Sequence, residues 1–435
     1  NSARIIGPLT RLRSPIWSKA MSELSKLPRI TSIDAYRGLV MFLMVAAGMA
    51  LYNIPKHEHF EDVMSAQPHW VRTLWETIAF HTNHVKWGGC SLHDMIQPSF
   101  SFLVGVALPF SLASRQAKGQ SFGLMLAHSI FRSLLLIALG VFLRSTHAGQ
   151  TNFTFEDTLS QIGLGYTFLF LLGFLRPAWQ WAAIGVLLVG YWALFAFWPL
   201  PPADFDPFTV GIKPDWDKNY DGFFAHWNIN TNPAAAFDRW FLNLFGRDKD
   251  QLFLGNGGGY ATLSFIPTLA TMILGLIAGN WMKEGLSRQA LWLRLFLAGV
   301  LLTAAGLGAE AAGICPIVKP IWTPAWTLFS GGICFLFVLV FTVLFDNGSF
   351  LRVLAFPLVV IGANSIFIYC AYHLTNGWLK DTLKIHLNLP EKTWGFKTYE
   401  VFGPMYANAV RGAIVIAIYW LVLLWMYRKR IFVKI

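Results

Sequence analysis

The chain has 435 residues, 55% of them hydrophobic, 16% aromatic and only 13% charged, against the roughly 25% charged residues of an ordinary soluble domain. That composition excludes a disordered chain and argues against a soluble enzyme. The formal net charge of +11, from 34 Lys and Arg against 23 Asp and Glu, would suit nucleic-acid binding in a soluble protein; beside long apolar runs it reads as membrane topology and calls for no nucleic-acid partner.

Residues 1–30 carry Arg4, Arg11, Arg13, Lys19, Lys26 and Arg29 without an apolar core, so they do not resemble a cleaved signal peptide and read as a basic cytoplasmic tail. Ten apolar runs follow, near 35–53, 94–113, 123–144, 158–175, 179–198, 260–280, 292–311, 325–346, 354–374 and 407–427. Ten crossings return the C-terminus, with Arg428, Lys429, Arg430 and Lys434, to the side on which the chain began. Sorting charges by this topology puts 18 Lys/Arg and 4 Asp/Glu on the cytoplasmic side, and 15 and 19 outside, with Arg132 within a span. The expected fold is an all-α integral membrane protein, a polytopic bundle of about ten transmembrane helices with cytoplasmic N- and C-termini. Its single domain covers 31–435, and the larger outer segments lie near 54–93, 199–259 and 375–406.

The most informative stretch runs from His81 through His84, Trp87, Gly88, Gly89, Cys90 and His93 to Asp94, where the second apolar run begins. Asp94 reads either as a helix cap or as the carboxylate that holds a histidine in one tautomer, with His84 and His93 nearest. His84 itself reads either as an interfacial histidine satisfied by backbone or water, or as a base. The His81-x-x-His84 pair lacks a third ligand at a diagnostic spacing, and no metal is expected. Cys90 and Cys315 share the outer side, which leaves a disulfide open. Ionisable residues within spans are functional candidates because they are costly there. Arg132 and His128 share a face of the third run, and Arg37 at the entrance to the first either meets a ligand or snorkels to headgroups. Gln161, Asn364 and His373 are weaker candidates, whose alternative is hydrogen bonding between helices. The segment from His226 and Trp227 through Asn228 to Asp238 and Trp240 suits either a carbohydrate or an aromatic interface belt.

These residues carry a resemblance over about 29–430. Arg29-Ile30-Thr31-Ser32-Ile33-Asp34-Ala35-Tyr36-Arg37-Gly38, then His84-x-x-Trp87-x-Gly89-(x4)-Asp94-(x3)-Pro98-x-Phe100, resemble the transmembrane acyltransferases related to heparan-alpha-glucosaminide N-acetyltransferase, including a bacterial branch grouped as a domain of unknown function. Gln161, Ile266-Pro267, Lys319-x-x-Trp322-Thr323 and Gly362-x-Asn364-Ser365-Ile366 are further echoes. The resemblance implies acetyl transfer from cytoplasmic acetyl-CoA to a carbohydrate acceptor, such as an amino sugar, at the outer face of a membrane, expected to be a bacterial inner membrane.

By motif, His84 would be the catalytic histidine, as base or acyl carrier, and Asp94 its partner. Arg37, Arg132, Gln161 and Asn364 would serve the donor, and Trp87, His226, Asn228 and Asp238 the acceptor. A cleft for the donor, open to the cytoplasm, would have to reach His84. The chain departs from the family pattern at Gly48, Ile162 and Gly88, which leaves the acceptor's identity open. The lipid bilayer is an obligatory partner, and a homodimer is one of the oligomeric states left open. The rival readings are a transporter or sugar-binding membrane protein without chemistry, or an inactive scaffold.

Overall fold

The computed structural model describes residues 30–247, 252–347, 350–387, 393 and 397–433, so that only Ile30 of the basic tail is included. In chain order the helices are α1 (Thr31–Ala46), α2 (Phe60–Ser65), α3 (His69–His81), α4 (Ile96–Ala117), α5 (Phe122–Ser145), α6 (Thr158–Leu172) and α7 (Pro177–Ala196). They continue with α8 (Pro233–Phe241), α9 (Phe265–Lys283), α10 (Arg288–Ala311), α11 (Pro324–Phe345), α12 (Phe356–Gly362), α13 (Ser365–Leu387) and α14 (Ala407–Arg428). Among the described residues there is no β-strand, and one isolated antiparallel bridge joins Gly88 to Val318.

Among the described residues, eight helical stretches are long and apolar enough to cross a membrane, or nine if α12 and α13 form one span bent by 63°. These fall on nine of the ten apolar runs. The remaining run, 158–175, forms α6, apolar but only 15 residues long. Asp157 sets its start by accepting the Leu159 and Ser160 amides at 2.9 and 3.2 Å. The ninth run was expected to be continuous and is broken instead. A Cβ on Gly362 would overlap the Asp34 carbonyl, so glycine lets α12 lie backbone to backbone on α1. Asn364 then turns its amide to the C-terminal segment, donating to the Ile431 carbonyl and accepting from the Val433 amide, both at 3.0 Å.

The bundle is built around α9, the most enclosed span, which packs against α4, α6, α7 and α11. In lipid, helices associate by close van der Waals packing, and glycines supply it here. A side chain on Gly105 of α4, or on Gly275 or Gly279 of α9, would overlap a carbonyl of the facing helix.

Both described ends of the chain lie at one end of the bundle. Asp346, after α11, accepts from the Ser32 amide at 3.1 Å and the Ser32 hydroxyl at 2.5 Å at the start of α1. Since α11 ends there, its first residue and the loop before it lie at the other end. That loop, 312–323, meets the segment 81–95.

Candidate active site

Between α3 and α4 the chain forms no long element. A short turn, His93–Met95, delivers Asp94 with its side chain 1% exposed. The carboxylate does not cap α4, whose first residues have no side-chain cap. It points back into the 81–92 segment: Oδ2 accepts from the Val85 amide at 3.2 Å and the Ser91 amide at 3.0 Å. The Ser91 hydroxyl, with one hydrogen to give, stands 2.5 Å from the Asn83 carbonyl and 2.9 Å from Oδ2. His81 shapes the same segment by accepting the Leu92 amide on Nδ1 at 3.2 Å.

The other carboxylate oxygen, Oδ1, faces His84 Nδ1 at 2.7 Å and Lys319 Nζ at 3.0 Å. Lys319 Nζ is also 3.1 Å from Nδ1. One ring nitrogen cannot both donate to the carboxylate and accept from the ammonium, so the shorter contact fixes the assignment: Nδ1–H donates to Asp94, and Lys319 donates to the same oxygen. Nε2 then carries the lone pair and has no hydrogen-bond partner among the described residues. The His84 side chain is 48% exposed, whereas that of Lys319 is 5% exposed. The arrangement is a buried ion pair beneath a solvent-facing imidazole, and it supports proton abstraction at Nε2.

Lys319 is held by its own loop. Gly89 donates to the Ile317 carbonyl at 3.1 Å beside the Gly88–Val318 bridge. Thr323 accepts from Val318 and Trp326 amides at 3.1 and 3.2 Å and donates to the Pro316 carbonyl at 2.7 Å, tying the loop to the start of α11. Trp322 takes a left-handed φ of 49°, which costs a non-glycine residue on the order of 1 kcal/mol or more. Its buried indole donates to Thr271 at 3.2 Å and holds the turn. Gly88 has no room for a side chain because the Tyr220 hydroxyl occupies the space.

His93 stacks obliquely on His84, ring centroids 4.5 Å apart. All four cysteines are free. Burial, reinforced by the Asp94 carboxylate, pushes the Cys90 thiol up to about 12, so at neutral pH it stays protonated and is no rival nucleophile. Two concavities meet at the 83–86 segment, one of about 480 Å³ toward Tyr52, Phe80 and Trp87, the other of about 430 Å³ toward Trp216, Gly258 and Tyr260. Among the described residues no group of His, Cys, Asp and Glu is arranged to hold a metal ion.

No protein-family profile matches the chain. It is 21% identical to the human heparan-alpha-glucosaminide N-acetyltransferase over 450 aligned positions, covering 94% of this chain and 60% of that protein. The mouse protein of the same name is 22% identical over 453 positions, covering 94% of this chain and 61% of that protein. The chain is a distant relative of these acetyltransferases. It spans about 60% of their length.

Of the expected site residues, the structure brings His84 and Asp94 together and sets Trp87 beside them. Trp87 is 1% exposed, packs edge-on against Trp216 at 5.7 Å and contributes to the larger concavity. The others meet different partners. Arg37 pairs with Asp34 at 3.3 Å near the chain ends. Arg132 donates to the Tyr166 hydroxyl at 3.0 Å and lies 4.5 Å from its ring centroid. Gln161 donates to the Phe155 and Thr262 carbonyls at 2.7 and 3.1 Å, while Asn364 holds the C-terminal segment. His226 Nδ1 donates to the Trp198 carbonyl at 2.8 Å, and the Asn228 amide pairs with both backbone groups of Tyr220. Asp238 accepts the Thr262 amide at 2.9 Å, and burial raises its carboxyl to about 6.

Lys319 was not among the expected site residues. Its signal was present: it is the only charged residue between Glu310 and Asp346.

Proposed function

We propose that the chain is a membrane acyltransferase that takes an acetyl group from cytoplasmic acetyl-CoA and transfers it to an amino sugar or other carbohydrate at the outer face. The chain crosses the bilayer ten times, α6 and the bent α12–α13 pair included, and both ends are cytoplasmic. The observation that carries the reading is the buried Asp94–Lys319 pair holding His84 Nδ1 and leaving Nε2 exposed. The acetyltransferase relatives support the reaction class.

The acceptor's amine or hydroxyl attacks the thioester carbonyl while His84 Nε2 takes the proton. The new C–N or C–O bond forms as the C–S bond breaks, and the proton passes from Nε2 to the departing thiolate, releasing the thiol. Asp94 keeps Nδ1 protonated and faces the imidazolium formed in that step. Lys319 is a positioning residue: it neutralises the carboxylate in the ground state and fixes Oδ1. Arg37, at the end of the bundle shared with the chain ends, is the proposed contact for the donor's phosphates, and Arg132 a second. In this reading Gln161, Asn228, Asp238, His226 and Asn364 serve the architecture, a role that their bonds to the backbone support.

Purified protein in liposomes, given radiolabelled acetyl-CoA and a panel of amino sugars, tests the reading. The expected result is label on a sugar, abolished by His84→Ala with folding retained. Absence of transfer and of acetyl-CoA turnover across the panel would overturn it. A hydroxylamine-labile acetyl group on the rapidly trapped enzyme, lost in His84→Ala, would identify His84 as acyl carrier instead of base.

A further inference from the structure

The concavity of about 480 Å³ beside His84 has a composition unlike the face around it. One wall is the turn Leu51–Lys56, the last part of the stretch Thr31–Lys56 that is long and apolar enough to cross a membrane, which sets the groove at the outer end of that candidate span. Tyr52, Pro55, Ala79 and Phe80 give it carbon walls. Helix α3, which supplies Phe80, packs through Val71 and Trp75 on a cluster of Ile54, Phe60, Met64 and Met405, contributed by the 51–56 turn, α2 and the residue pair before α14. Its Trp70, Leu74 and Phe80 remain 66%, 46% and 53% exposed. Large exposed aromatics beside the end of a span suit the headgroup layer of a membrane.

The groove's charge is cationic. Lys56, Lys86 and Lys218 line it, against one acidic lining residue, Glu76, which at 3.1 Å shares the Arg72 guanidinium with Glu61 at 2.7 Å. Lys86 and Lys218 share a single carboxylate, Asp217, at 4.0 and 3.0 Å. Lys56 leans on the Tyr52 ring at 5.5 Å. Carbon walls at the bilayer boundary with surplus ammonium groups at the rim are complementary to an amphiphile with an anionic head.

We infer that the acceptor is presented by the membrane, as a sugar joined through a phosphate to a long hydrocarbon chain, with the phosphate at Lys56, Lys86 and Lys218 and the reactive amine or hydroxyl at His84. This rests on the acyltransferase reading and names its substrate class.

Three glucosamine acceptors are compared in proteoliposomes with acetyl-CoA: free glucosamine, an uncharged long-chain alkyl glucosaminide, and glucosamine linked by phosphate to the same chain. The phosphate-linked acceptor is expected to have a kcat/KM at least tenfold above either of the others. The ratio of its kcat/KM to that of the uncharged lipid is expected to fall at least tenfold in Lys86→Glu/Lys218→Glu. Being a ratio of two acceptors on one protein, it is insensitive to the fraction folded. Equal use of free glucosamine, or an unchanged ratio in the double variant, overturns the inference and leaves acyl transfer standing. No acetylation of any acceptor, with no acetyl-CoA turnover, defeats both.

Discussion

Lys319 and Asp94 stand 225 residues apart in the chain and 3.0 Å apart in space, both nearly sealed from solvent. A buried pair of this kind adds little net stability, because desolvation offsets most of the attraction, but removing one member strands the other charge. Lys319→Met should therefore destabilise the protein by about 3–5 kcal/mol. Asp94→Asn in the same background should recover much of the loss. Thermal unfolding of the two single variants and the double variant measures the coupling, and additive losses would show that the two residues do not act as a unit.

For the chemistry, Asp94→Asn keeps the shape and removes the charge that holds Nδ1–H. Turnover should fall by about 10²-fold or more, within the usual range for disabling a general base, with donor affinity little changed. Steady-state kinetics beside acetyl-CoA binding separates the two. An equal loss in both would mean that Asp94 shapes the donor site instead.

Asp238 gives a pH dependence with a definite sign. Its folded carboxyl is raised from 3.8 to about 6 by burial. The stability that the neutral form contributes is fully present below pH 3.8 and is lost as pH rises through about 6. The difference at neutral pH is on the order of 3 kcal/mol. Asp238→Asn, which keeps an acceptor for the Thr262 amide, should melt higher than the parent at pH 7.5 and show a much smaller advantage at pH 4.5. Parallel melting curves across that range would contradict a buried carboxylate.

The α4–α9 contact is testable by a single methyl group. Gly275→Ala must push its Cβ against the Phe102 carbonyl, a backbone atom that cannot move aside, and should cost about 1–3 kcal/mol. Gly308→Ala has nothing near its Cβ position and serves as the control for stability measured in the same detergent.

Much of the bundle was legible because apolar run length alone finds membrane-spanning helices, and each of the ten runs became helical. What length does not encode is interruption. The bend at Ala363–Asn364 depends on Gly362 meeting Asp34 and on Asn364 reaching Ile431, contacts between distant parts of the chain. At the site, His84 and Asp94 were readable because they lie ten residues apart within one polar stretch. Lys319 was not assigned a role because its partner lies 225 residues away in sequence. Gln161, Asn228 and Asn364 were readable as polar residues in unusual places, but a residue type does not say whether its partner is a ligand or the protein's own backbone.

The Gly88–Val318 bridge also sets a timetable. A nascent chain inserted as far as α10 already contains the imidazole and its carboxylate, yet the loop that supplies their counter-charge and clamps their segment has not been made. Until residue 319 is delivered, Asp94 has no ammonium beside it and no reason to exclude water. The candidate centre is thus complete only once residue 319 has been made, so a product ending before α11 would hold His84 and Asp94 without the Lys319 contact that joins them in the folded chain.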